Sequence, residues 1–137
     1  MDYSVSELVK HSDDRGYLVE FLGTDELVQE NREFGQIYYV TFRNRHTIRG
    51  NHFHNKTEEW LGVLFGTVMV VLEDVETKER MVMELKSSEN EFTRLRIGKR
   101  IAHAFKCLSD TAILLGYANR QYDPGNTDRF LYLLLEK

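Results

Sequence analysis

The stretch "GNHFHNKTEE", residues 50–59, holds His52, His54 and Glu59, and His103 follows "LRIGKRIA" later in the chain. Residues two apart on a strand share a face, so His52 and His54 would present their rings side by side. Imidazole nitrogens and a carboxylate are ligands that Zn, Fe, Mn or Ni would accept. Histidine is also the side chain that takes and returns a proton near neutral pH. The set therefore points to a metal centre or a proton-transfer site. The plainer alternative is that two of these histidines are surface or hydrogen-bonded residues without chemistry. Arg43, Arg45 and Arg49 crowd just ahead of the pair and suit an anionic small molecule.

The bulk composition narrows the field. With 18 Lys and Arg against 22 Asp and Glu, the net charge is −4, which argues against nucleic acid as a partner. The one cysteine, Cys107, allows neither an intrachain disulfide nor a CxxC zinc site. It suits a reducing compartment and is expected to be buried as a small apolar residue. The start, "MDYSVSELVK", has no long apolar run, so neither a signal peptide nor a membrane helix is expected. The expected location is the cytoplasm.

The elements that must position these residues read as strands. Short segments rich in Val, Ile, Leu, Phe and Tyr lie at 17–22, 36–42, 47–54, 59–65, 67–74, 80–85, 92–97, 103–108, 112–118 and 130–136. Only 25–34 reads as a helical turn or loop. Many short strands at regular spacing predict an all-β sandwich or closed barrel in a single domain, residues 1–137. Runs such as "GTVMVVLE" are apolar on nearly every residue, which suggests a second subunit and a homodimer.

"GNHFHNKTEEWLGVLFG" resembles the first cupin motif, in which HxH, a Glu and a Gly line a small barrel. "LRIGKRIAHAF" is similar to the second cupin motif, with Gly98-Lys99-Arg100 where a Pro-Gly turn is usual. The implied fold is the cupin double-stranded β-helix, a jelly-roll barrel. A narrower resemblance runs through most of the chain. "DDRGYLVE", "IYYV", "IRGNHFH" and "IAHAFKCLSDTAILLGYANRQYDP" are similar, in that order, to segments of the RmlC-like cupins. These are the dTDP-4-dehydrorhamnose 3,5-epimerases and the dTDP-4-keto-6-deoxyhexose 3,4-ketoisomerases. The last third also resembles the terminal cupin domain of some bifunctional capsule-sugar enzymes, some of which bind zinc.

The resemblance implies a nucleotide-linked 4-keto-6-deoxy sugar as substrate and isomerase chemistry with no obligatory cofactor. The keto group acidifies a neighbouring C–H bond, a base removes the proton, and an enolate forms. His52 stands at the family's catalytic histidine, and Tyr117 at the tyrosine that acts as acid on the other face of the sugar in the epimerases. His54 is ketoisomerase-like and, with Glu59, would orient His52 or join it and His103 as metal ligands. Arg15 matches the Asp-x-Arg-Gly arginine and would bind the diphosphate. Arg49 would stabilise the enolate oxygen, provided that a bulge near Gly50 turns it to the face of His52. Tyr38 and Tyr39 alternate faces, so one would enter the barrel; Tyr122 matches the Tyr-x-Pro turn. Arg15 could instead be a solvated surface arginine, and both Tyr38 and Tyr39 core packing. An N-terminal strand exchange between two copies is also implied.

Three functions remain open. The first is a nucleotide-sugar epimerase or ketoisomerase. The second is a metal-dependent cupin enzyme with a divalent metal on His52, His54, Glu59 and His103. The third is a non-catalytic sugar-binding cupin.

Overall fold

In a computed structural model of the chain, residues 1–27 and 34–136 are described. Their strands are β1 (Tyr3–Leu8), β2 (His11–Asp13), β3 (Gly16–Leu18), β4 (Gln36–Phe42), β5 (Ile48–Phe53) and β6 (Glu59–Phe65). They continue with β7 (Thr67–Asp74), β8 (Arg80–Lys86), β9 (Phe92–Ile97), β10 (Ile101–Cys107), β11 (Ala112–Ala118) and β12 (Phe130–Leu131). One sheet has the order β1-β9-β6-β11-β4 and the other β12-β5-β10-β7-β8, while β2 and β3 form a separate hairpin. Every pairing is antiparallel. Two five-stranded antiparallel sheets make a jelly roll, so the all-β cupin expectation holds.

The inward faces divide the barrel into a packed part and an open one. Phe42, Leu61, Val63, Val70, Leu72, Leu95, Ile97 and Leu114 belong to one buried apolar cluster. Cys107 is fully buried among them, as expected of a small apolar residue. Beside this core lies a cavity of about 960 Å³, lined by residues of β4, β5, β6, β10 and β11 and by the segment after β11.

Four elements differ from the sequence expectation, among them β2, a short hairpin strand that no apolar run marks. β1 was not anticipated, because "YSVSEL" carries little apolar signal; it is an edge strand held by pairing with β9 of the same chain. The strand expected at 17–22 forms a ladder only over Gly16–Leu18, and Phe21 leaves it to pack edge-on against Phe92, ring centroids 6.1 Å apart. The strand expected at 130–136 pairs only over Phe130–Leu131, and beyond it Asn51 accepts from the amides of Tyr132, Leu134 and Leu135. Within 25–34, the turn begins as a 3₁₀ helix over Thr24–Glu26, while residues 28–33 lie outside the described residues. Among the described residues no helix is long and apolar enough to cross a membrane.

Candidate active site

β5 and β10 are neighbours in one sheet, and β6 belongs to the sheet that faces them. That arrangement brings His52, His54, Glu59 and His103 together, with one ligand atom from each lying within 4.8 Å of every other. Glu59 Oε1 is 2.7 Å from His54 Nε2 and 3.4 Å from His103 Nε2. The His52 ring centroid is 4.6 Å from that of His103 and 5.0 Å from that of His54. His103 and Glu59 are buried, whereas His52 and His54 are half-buried at the cavity wall.

Backbone carbonyls aim two of the rings. His103 Nδ1 lies 3.0 Å from the Ile101 carbonyl, and His54 Nδ1 meets the carbonyl of Asp128. A carbonyl only accepts, so both Nδ1 atoms carry a proton and both Nε2 atoms point at Glu59. In His54, Nε2 also faces an acceptor, so the ring is held as an imidazolium between two acceptors. Burial opposes that charge, and the hydrogen bond and negative charge of Glu59 outweigh it, raising the His54 pKa. Burial likewise disfavours the Glu59 carboxylate, but His54, His103 and Tyr38 hold its pKa well below the usual range. Burial keeps His103 neutral by lowering its pKa.

β5 carries a bulge. His52 pairs with His103 and Gly50 with Ala104, so Asn51 is the extra residue. Gly50 has φ 88° and Asn51 φ 60°, both left-handed. A Cβ at Gly50 would stand 2.8 Å from the carbonyl oxygen of His103, so only glycine fits this close approach. Beyond the bulge Arg49 pairs with Phe105. His103 and Phe105 both line the cavity, so Arg49 and His52 come to the same face. The condition attached to Arg49 in the sequence is met.

Tyr38, and not Tyr39, enters the barrel. Its ring lies where a Cβ on Gly116 would come within 2.3 Å, and its hydroxyl donates to Glu59 Oε2. Burial, followed by the neighbouring Glu59 charge, pushes the Tyr38 pKa up and keeps the phenol protonated. Tyr122 stands half-exposed at the cavity mouth.

Three assignments need correction within this chain. Tyr117 does not reach the cavity. Leu114 and Ala118 line it, so the alternate residue Tyr117 points the other way, between Trp60 and Phe34, where its hydroxyl accepts from the Gly35 amide at 3.1 Å. Tyr39 is 71% exposed on the outer face of β4. Arg15 sits in the β2–β3 turn, ion-paired to Asp13 at 2.6 Å and away from the cavity.

Residues 11–130 match the family described as the polysaccharide biosynthesis C-terminal domain. The spore coat polysaccharide biosynthesis protein SpsL of Bacillus subtilis (strain 168) is 31% identical over 129 residues, covering 90% of this chain and 83% of that protein. The chain belongs to the polysaccharide biosynthesis C-terminal domain family. Solved structures place the family's fold beside sugar isomerases. A 3,4-ketoisomerase from Helicobacter canadensis is 25% identical with a TM-score of 0.75, over 95% of this chain and 90% of that one. QdtA, a sugar 3,4-ketoisomerase from Thermoanaerobacterium thermosaccharolyticum solved with TDP, shares the fold at 23% identity, TM-score 0.76, over 93% and 86% of the two chains. A variant of QdtA has also been solved with TDP-4-keto-6-deoxyglucose.

In this polysaccharide biosynthesis domain, the segment after β11 supplies residues that the sequence reading missed. The Asp128 carboxylate accepts from the amides of Asn55 and Lys56 and from the Thr57 hydroxyl at 2.8–2.9 Å, which fixes the loop beside His54. Arg120 and Arg129 join Arg49 at the cavity, and the Arg129 guanidinium lies 5.8 Å from the Tyr122 ring centroid. The segment "ANRQYDPGNTDRF" carries two arginines and two aspartates, so its charge gave no hint of them. His52 is left neutral. Burial, followed by the neighbouring His103 and His54, pushes its pKa down to about 3.

Proposed function

We propose that this protein isomerises a nucleotide-linked 4-keto-6-deoxy sugar in polysaccharide biosynthesis, with His52 as the base. The observation that carries this reading is His52 at the wall of a cavity of about 960 Å³, on the same side as Arg49. That volume suits a sugar nucleotide. The 3,4-ketoisomerases and the TDP and TDP-keto-sugar complexes among the structural neighbours support the substrate class.

His52 removes the proton next to the ketone. As the enolate forms, its negative charge favours the imidazolium, so the basicity of His52 rises along the reaction. Arg49 stands on the enolate side and stabilises the developing oxyanion. Arg120 and Arg129 at the mouth bind the diphosphate, a role that guanidinium groups fill by bidentate contact. With Tyr117 turned out of the cavity, one base serving one face favours keto migration over inversion. The His52 imidazolium returns its proton to the former carbonyl carbon, while the neighbouring hydroxyl passes its proton to the enolate oxygen and becomes the new ketone. The test is incubation with TDP-4-keto-6-deoxyglucose in D₂O, followed by NMR. Deuterium entry next to the carbonyl and a new keto sugar are expected; no exchange with any 4-keto-sugar nucleotide overturns the proposal.

A second reading rests on a separate observation. The Nε2 atoms of His54 and His103 converge on the buried Glu59 Oε1, at 2.7 and 3.4 Å. With His52, these donors suit Zn, Fe, Mn or Ni, and carbonyl-anchored Nδ1 atoms are what metal-binding histidines use for orientation. A cation held there would supply Lewis-acid stabilisation of an enolate oxygen. Elemental analysis of protein purified without chelator decides: stoichiometric metal lost together with activity supports this reading, and a metal-free active protein sinks it.

The proposed assembly is a homodimer in the cytoplasm. Ile37, Tyr39 and Phe65 form an exposed apolar strip on the outer face of the first sheet, with Ile113 and Leu115 between them in register. A second copy on this face covers Tyr39. Sedimentation equilibrium tests it: a Tyr39→Arg substitution is expected to yield monomers.

A further inference from the structure

Asn51 is the extra residue of the β5 bulge, and it is neither a ligand of the histidine cluster nor a lining residue of the cavity. Its φ of 60° lies in the left-handed region, which asparagine tolerates better than most residues with a Cβ. Its side chain is spent entirely on the C-terminal segment. Oδ1 accepts from the amides of Leu134 at 2.8 Å and Leu135 at 3.0 Å, and Nδ2 donates to the Leu135 carbonyl at 3.0 Å. The Asn51 carbonyl accepts from the Tyr132 amide at 2.8 Å. The same segment is tied down at Tyr132, whose hydroxyl donates to Glu73 and accepts from Lys78 Nζ.

We propose that Asn51 is a positioning residue of this site: together with Gly50 its left-handed backbone makes the bulge that turns Arg49 and His52 to one face, and its side chain locks that bulge to residues 132–135. In a regular strand, residues 49 and 52 would lie on opposite faces, because the side-chain period is two. The extra residue cancels that parity. Arg49 thus stands opposite Phe105 while His52 stands opposite His103. The importance of this pairing for catalysis rests on the proposed isomerase reading; the geometry does not.

The test combines a structural readout with kinetics on the full chain. NOEs between Arg49 and the Phe105 ring are expected in the wild type and lost in Asn51→Ala. Asn51→Gly, which accepts positive φ but lacks the side chain, is expected to retain part of them. With TDP-4-keto-6-deoxyglucose as substrate, Asn51→Ala and Arg49→Ala are expected to lower kcat to a similar degree. The double variant is expected to be no worse than Arg49→Ala, since one residue acts through the other. Wild-type-like NOEs in Asn51→Ala, or fully additive losses in the double variant, overturn the proposal. A wild type that shows the NOEs, loses them in Asn51→Ala and turns over no keto sugar would sink the isomerase reading and support the positioning role. If Asn51→Ala does not fold, the folded Asn51→Asp variant is measured instead. Its carboxylate keeps the acceptor and loses the donor to Leu135, and an unchanged Arg49–Phe105 contact and kcat together with Asn51→Gly at full kcat likewise overturn the proposal.

Discussion

His54 Nε2 lies 2.7 Å from Glu59 Oε1, with its Nδ1 against the backbone carbonyl of Asp128. Both partners of the ring are acceptors, so the site holds a buried imidazolium–carboxylate pair. Tyr38 completes it by donating to the other Glu59 oxygen. The cluster is therefore a charged unit in which each member depends on Glu59.

Replacing Glu59 by Gln leaves the His54 proton without its anion. Removing one partner of a buried pair costs about 3–5 kcal/mol. Urea unfolding at pH 7 in the presence of chelator reads this directly. A loss below about 1 kcal/mol, the range of exposed pairs, would show that the two residues are not coupled.

The pH dependence of stability follows from the direction of each shift. His52 is depressed from 6.5 to about 3, so the unfolded chain binds the extra proton first, and the stability due to neutral His52 is lost as pH falls through that window. Glu59 is also depressed, and its contribution is lost as pH falls below 4.5 toward its folded value. His54 is raised, so its contribution is full below 6.5 and fades as pH rises through its folded value. The metal-free protein should thus weaken steeply on the acid side. His52→Asn should flatten the upper part of that acid limb; urea midpoints at pH 7, 5.5 and 4 that fall equally in both proteins would contradict this.

His52→Asn keeps the size and polarity of the site but removes the base. Proton exchange into the keto sugar should fall by roughly 10²–10⁴-fold, the usual worth of a positioned base. TDP binding, measured by calorimetry, should change little, because the mouth arginines are untouched. Equal losses in binding and exchange would point to a binding role instead.

Tyr117→Phe separates packing from catalysis. The hydroxyl accepts from the Gly35 amide and lies outside the cavity. Its removal should cost about 1 kcal/mol of stability through that lost hydrogen bond. Turnover should stay near the wild-type value. A large fall in kcat at unchanged stability would restore Tyr117 as the acid, reached by a rearrangement of β11.

Close spacing along the chain made some of the site legible. His52 lies on β5 and His54 just past its end, two residues on, so spacing alone made that pair legible, whereas Glu59 begins β6 in the facing sheet and is brought to them by sheet packing. The apolar runs at 59–65, 67–74 and 112–118 likewise carried enough β-forming residues for their bounds to match the observed strands. Tyr117 shows the limit. "AILLGYA" is apolar on both faces, so nothing in it says which parity points inward; the register with β4 and β6 decides that. Arg49 needed a bulge at which two consecutive residues, Gly50 and Asn51, are left-handed, and Asp128 reaches its partners 71–74 residues away in sequence. Local periodicity determined the strands and the histidine pair. The face each side chain takes, and the C-terminal segment that braces them, were decided only by long-range pairing, because a one-residue change of register reverses every side chain that follows.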